Sequence, residues 1–213
     1  MTCQLFRYMM NNLRRVPVKR NLVVAACFFV CSTLAFAQGP APTAKTPAAA
    51  ASAQGSASPT KDPVSTSLRL YLQRSQNNTV GAIEAMPADK FSYKPTPDQI
   101  SFAHLAAHIA GFNNGLCAKV ADVPAPKVDE SKETDSRDQL VAAVKASYSF
   151  CSDAISKMDD SKLGDSVEIF GGRQVPRAMV ALILAGGWSD HYAAAAMYLR
   201  LNGILPPSAQ PKK

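Results

Sequence analysis

Three imidazoles and one carboxylate are the groups in this chain best placed to do chemistry. His104, His108 and His191 are its only histidines, and all three fall in segments with helical periodicity. Take about 100° per residue with Phe102 at zero: Leu105, Ile109, Phe112 and Leu116 then lie between about 280° and 340°. His108 falls at about 240°, bordering that apolar stripe, and His104 at about 200°, one turn away on the same face. In the last apolar segment, with Met179 at zero, Leu182, Ile183, Gly186, Ala194, Met197 and Leu201 lie within about 60° of the origin. Asp190 falls inside that stripe, so a buried carboxylate in need of a partner is expected there. His191 borders it, with Gly187 one turn earlier. Imidazoles from two facing helices plus a buried carboxylate are the raw materials of a divalent-metal site. The plainer reading makes each histidine a hydrogen-bonded packing residue and pairs Asp190 with Arg173, Arg177 or Lys94.

The elements that must position these groups read as four helices. Val64, Leu68, Tyr71, Leu72, Ser75, Thr79, Ile83 and Met86 recur at three- and four-residue steps, which predicts an amphipathic helix over 64–86. Pro87, Pro95 and Pro97 mark a loop. Thr96-Pro97-Asp98-Gln99 has the form of a capping box with proline at the first helical position, and Ser101 is a rival cap. The second helix runs to about Val120, and a polar loop spans 121–135. Ser136-Arg137-Asp138-Gln139 repeats the capping box and opens a stripe at Leu140, Val144, Tyr148, Cys151, Ile155 and Met158. Residues 167–175 alternate weakly around Gly171-Gly172, as in a short hairpin or an extended connector. A last helix from about Pro176 to Asn202 is stopped by Gly203 and by Pro206-Pro207. The expected fold class is all-α, a four-helix bundle.

Upstream of the bundle lie two segments of different character. Leu22–Ala37 is an apolar run behind an Arg/Lys cluster and closes on Ala35-Phe36-Ala37, the form of a signal peptide cleaved after Ala37. The run falls short of the roughly 20 apolar residues of a spanning helix, so no membrane span is expected after its removal. Val24-Ala25-Ala26-Cys27 resembles a lipoprotein cleavage box, but the apolar residues are distributed about it in the wrong proportion. A start at Met10 would give a signal of more usual length. Residues 38–63 are built almost wholly of small and polar residues and cannot bury enough apolar surface to offset their ordering entropy, so they read as a linker. The bundle is expected over 64–207, with a tail at 208–213. The periplasm or the exterior is the expected location. Of five cysteines, Cys117 and Cys151 remain after removal of the leader. In an oxidising compartment these two can form one bridge. The alternative, a reactive thiol, lacks any supporting motif.

Charge bounds the partners. The chain carries 23 Lys plus Arg against 16 Asp plus Glu, a net +7. Residues 1–37 hold five of those bases and no acid, so the remainder is close to neutral. It lacks the basic face that phosphate backbones require, and no nucleic-acid partner is expected.

Met86-Pro87 through Phe91-Ser92-Tyr93-Lys94-Pro95-Thr96-Pro97, followed by Ser101-Phe102-Ala103-His104-Leu105-Ala106-Ala107-His108-Ile109-Ala110, resembles the DinB/YfiT-like family. So does Asp190-His191-Tyr192, followed by Tyr198-Leu199-Arg200-Leu201-Asn202-Gly203-Ile204-Leu205-Pro206-Pro207. The resemblance covers roughly residues 64–207 and implies a four-helix bundle. It also implies a divalent metal, zinc or nickel, held by one histidine of the second helix and two of the last. His108 matches the first of these ligands and His191 the last. The middle one falls at Gly187, which has no side chain. His104 would complete the set from the second helix, or Asp190 would complete a two-histidine, one-carboxylate set. For a chain expected to be exported, the resemblance thus implies a metal-dependent hydrolase or transferase acting on an unknown small molecule. The alternative is a bundle without its metal that binds a small ligand or a protein. Dimerisation through helix faces is common in the family, which leaves a homodimer open.

Overall fold

A computed structural model describes residues 59–211 of the chain. The expected signal peptide and most of the expected linker lie outside the described residues. Four long helices carry the fold: α1 (Pro63–Ala85), α2 (Phe102–Ala121), α3 (Arg137–Ser156) and α4 (Arg177–Leu201). A two-stranded antiparallel hairpin, β1 (Ser166–Ile169) and β2 (Arg173–Pro176), precedes α4. The helix α1 packs on α3 and α4, and α2 packs on the same two. The bundle is therefore a ring in the order α1, α3, α2, α4, with α1 diagonal to α2. Among the described residues, no helix is long and apolar enough to cross a membrane.

Each helix begins for an identifiable reason. Asp160, just beyond α3, caps α1 from a distance: its carboxylate accepts from the backbone N–H of Val64 at 2.9 Å and of Ser65 at 2.8 Å. The hydrogen bonds given by Ser65 and Val64 outweigh partial desolvation and hold the Asp160 carboxyl below its usual range. Pro63, counted above with the linker, opens this helix and gives up no hydrogen bond by lacking an N–H there. Ser101 caps α2, its hydroxyl accepting from the His104 N–H at 3.0 Å. The capping-box reading at Thr96 is thereby corrected: 96–99 closes a turn, Gln99 N–H to Thr96 carbonyl at 3.1 Å, before the helix starts. The Ser136 capping box of α3 is complete in both directions.

In the hairpin, Gly171 and Gly172 have φ of 72° and 77°, the left-handed region where a Cβ is disfavoured, and so allow the tight reversal. This settles the open choice over 167–175 in favour of a hairpin. Gly203, with φ of 73°, ends the last helix. Beyond it, Pro207–Ala209 forms a single 3-10 turn, anchored where the Tyr192 hydroxyl donates to Ser208 Oγ at 2.6 Å. Ser208, counted in the expected tail, is thus held against α4.

The core runs the length of the ring. Trp188, Tyr148, Phe102, Ile109, Leu116 and Leu140 are among its largest fully buried side chains. At its centre sits a polar crossing: Trp188 Nε1–H donates to Asn113 Oδ1 at 2.9 Å, and Asn113 Nδ2–H donates to Ser147 Oγ at 3.1 Å. Three helices are tied there through one fully buried amide. A disulfide joins Cys117 of α2 to Cys151 of α3, with Cα atoms 5.2 Å apart and both residues fully buried.

The phase expected for α4 is corrected by the structure. Leu182, Met197 and Leu201, expected inside, are 66%, 55% and 55% exposed. The buried face instead carries Val180, Leu184, Trp188, His191, Ala195 and Leu199. Asp190 lies on the exposed face and is not a buried carboxylate. The cause is compositional: α4 is apolar almost all round, so its pattern carries no phase, and tertiary fit to α1 and α2 sets the rotation.

Candidate functional site

The helices α2 and α4 touch along a seam where His108 and His191 meet. Their ring centroids are 5.0 Å apart and their planes nearly perpendicular, close enough for both to serve one small ligand or ion. His191 is the inner member, 9% exposed, and its Nδ1 has no hydrogen-bond partner among the described residues. Burial, with His108 adding a second repulsive charge, lowers its pKa to about 4. His108 stands at the exposed rim. Desolvation of its inner side, and then the neighbouring His104, lower its pKa too. At neutral pH the pair is therefore uncharged, presenting lone pairs rather than two cations.

The other two candidates lie elsewhere. His104 points along the outside of α2, where its Nδ1 meets Glu133 Oε2 at 3.2 Å. Asp190 faces away from the seam on the open side of α4. Among the described residues, no group of three His, Cys, Asp or Glu is arranged to hold a metal ion.

What fills the third position is a hydrocarbon ring. A Cβ built on Gly187 would stand 2.7 Å from Phe112 Cε1 and nearer still to Cζ, both well inside contact distance. The phenyl ring of Phe112 thus occupies the space that a side chain at 187 would enter. It packs edge-on against His191 with centroids 4.6 Å apart, and it lies 6.2 Å from the His108 ring. The helical periodicity places Phe112 in the apolar stripe; in the structure it lies at the stripe's edge, half-buried, and belongs to the site. Its approach to Gly187 depends on how two distant helices cross and leaves no mark in either segment alone. The donor set does not fit a three-ligand metal: two imidazoles are present, and the third side is closed by carbon.

Asn113, one residue on from Phe112, was also missed by periodicity. A polar residue, it is nevertheless fully buried and holds Trp188, the neighbour of Gly187. The chain from Asn113 to Trp188 fixes the rotation of α4 that brings Gly187 and His191 to the seam.

Comparison with known proteins agrees with this architecture. Among curated proteins, none matches the chain in sequence. A DinB-like protein from Bacillus subtilis superposes with a TM-score of 0.55 at 18% identity, covering 68% of this chain and 99% of its own. A DinB-like protein from Bacillus cereus gives a TM-score of 0.53 at 17% identity, covering 64% of this chain and 93% of its own. A mycothiol-dependent maleylpyruvate isomerase gives 0.50 at 14% identity, with 61% of this chain covering 59% of that one. At these identities the likenesses speak to the fold. The profile of the DinB superfamily matches residues 71–193, more than half of the sequence and all of the seam, and the chain belongs to that superfamily.

Proposed function

We propose that this chain is an exported DinB-superfamily bundle that acts by binding, without the three-ligand metal chemistry its resemblance implies. The observation that carries this reading is the Phe112 ring in the space beside Gly187. An imidazole there would be the third ligand; a phenyl ring offers no lone pair and excludes water from that side. What remains is two uncharged imidazoles against one aromatic face, a grouping suited to a small, largely apolar molecule with one hydrogen-bonding group. His191 Nδ1, buried and without a hydrogen-bond partner among the described residues, is the group such a molecule would satisfy. Export is supported by the leader-like run at Leu22–Ala37 and by the buried Cys117–Cys151 disulfide, a bond that persists in oxidising compartments.

A second reading has one observation in its favour. The 5.0 Å separation of the His108 and His191 rings would let the two imidazoles share a zinc or nickel ion with open positions for water. The solved mycothiol-dependent isomerase uses a thiol by name, and low-molecular-weight thiols are mainly cytoplasmic. An exported metal-bound form would therefore suit hydrolysis better than thiol transfer.

Metal analysis of the purified, tag-free protein decides between the two. The binding reading expects substoichiometric metal and a melting temperature unmoved by zinc, nickel or chelator. It expects His108→Ala to alter neither. One equivalent of metal, lost on His108→Ala, would sink it.

A further inference from the structure

The connection between α2 and α3 covers a cavity on the far side of α2 from α4. The Asn113–Ser147 and Cys117–Cys151 contacts both span 34 residues, so α2 and α3 run parallel. The chain leaving Ala121 must therefore travel back along both helices before α3 begins at Arg137, a return of roughly 30 Å. It does so as a strap without regular structure. The strap is pinned at both ends. Asp122 pairs with Lys162 at 2.9 Å and with Arg177 at 3.4 Å; Glu133 accepts from Ser101 Oγ at 3.3 Å and meets His104 Nδ1 at 3.2 Å.

Between the pins the strap does not close on the helices. Beneath it lies a cavity of about 360 Å3, within the range of small-molecule sites. The helices leave this room by supplying small side chains, Ala110 and Gly111 from α2 and Ala143 and Ala146 from α3, with the half-buried Phe150 as the one aromatic. A Cβ on Gly111 would meet nothing within 4 Å, so no neighbouring helix requires a glycine there. Glycine is disfavoured in a helix interior; at 111 it keeps the space open. The strap adds Pro126, Val128 and two exposed carboxylates, Asp129 and Glu130. Neither carboxylate is in an ion pair among the described residues. Lys127 and Lys132 flank them in sequence, but no Lys, Arg or His is in the lining. An apolar floor with two unpaired carboxylates at its rim complements a molecule with a hydrocarbon body and one positive head.

We propose that the cavity under the strap binds a small amphipathic cation, an amine whose ammonium head is held by Asp129 and Glu130 and whose apolar body lies against Ala143, Ala146 and Phe150. No residue of the His108–His191 seam lines it, so the site stands or falls independently of what the seam binds.

Titration of the purified, tag-free protein with hexylammonium, followed through backbone amide NMR shifts, tests it. Saturable shifts are expected, gathered at residues 110–114, 126–131 and 143–150. Hexanol, the neutral molecule of the same length, should bind at least about fivefold more weakly. The Asp129→Asn, Glu130→Gln double variant should bring hexylammonium down to the level of hexanol. Gly111→Leu places a side chain in the open space and favours the helix; it should fold as the wild type does and weaken both molecules at least about tenfold. His108→Ala should leave both unchanged. The absence of saturable binding overturns the proposal, as do shifts scattered over the surface or gathered at 187–191. So does hexanol bound as tightly as hexylammonium, or a Gly111→Leu protein that binds like the wild type.

Discussion

Among single residues, the pair Phe112 and Gly187 decides the chemistry of the seam. Glycine in the interior of a helix is unfavourable by about 1 kcal/mol relative to alanine, so Gly187 costs stability unless something needs the space. The space is taken by the far end of a half-buried phenyl side chain. The two positions should therefore be energetically coupled, which a double-mutant cycle measures. With Phe112 present, Gly187→Ala should gain nothing, because the ring must move aside. In a Phe112→Ala background the same change should recover the helix propensity, about 1 kcal/mol. Chemical denaturation of the four proteins gives the coupling. Equal effects in both backgrounds would mean that the ring does not rest where it is described.

The four helices differ in how far their sequences declare them, and the differences have physical causes. The pattern of α1 shows its phase because Leu68, Leu72 and Ile83 alternate with a polar outer face. The start of α3 is written in Ser136 and Gln139, two residues three positions apart that satisfy one another locally. In α4 nothing polar marks the outside except a few residues, so the run reads as helix but not as a rotation. The pattern accordingly turns Asp190 inward, whereas Trp188 and His191 are the inward residues. The start of α2 offered two plausible caps, and only tertiary structure chooses between them. Ser101 is buried and accepts from His104 N–H, whereas Thr96 serves an isolated turn. Removing the working cap should be felt and removing the other should not. Ser101→Ala is expected to cost about 1 kcal/mol, and Thr96→Ala to stay within about 0.5 kcal/mol of the wild type. Thermal or urea unfolding of the two variants checks this. A larger loss at Thr96 than at Ser101 would move the start of the helix back to the proline turn.

In the molecule as a whole, stability and compartment are linked through the disulfide. The ring of helices is closed by connections of unequal length, and α2 and α3 are joined through the polar loop that separates them. The Cys117–Cys151 bond clips those two helices at a sequence separation of 34 residues. Cross-linking a loop of that length restricts the unfolded chain by an amount worth roughly 3–4 kcal/mol in the chain-entropy treatment. That is a large share of the 5–15 kcal/mol typical of a folded domain. Its neighbours raise the stake: Cys151 Sγ lies 3.6 Å from the Asn113 carbonyl oxygen, so the bond sits beside the amide that ties Trp188 into the core. The Cys117→Ala, Cys151→Ala double variant should therefore lose roughly 3–4 kcal/mol, measured by urea unfolding under oxidising conditions. Because both sulfurs are fully buried, a reductant added to the native wild type should leave its melting curve nearly unchanged. The same reductant added to unfolded protein should lower the stability of what refolds to that of the variant. A wild type as easily reduced when folded as when unfolded would place the bond at the surface, and the role of α2 and α3 as a covalently joined frame for the seam would fall with it.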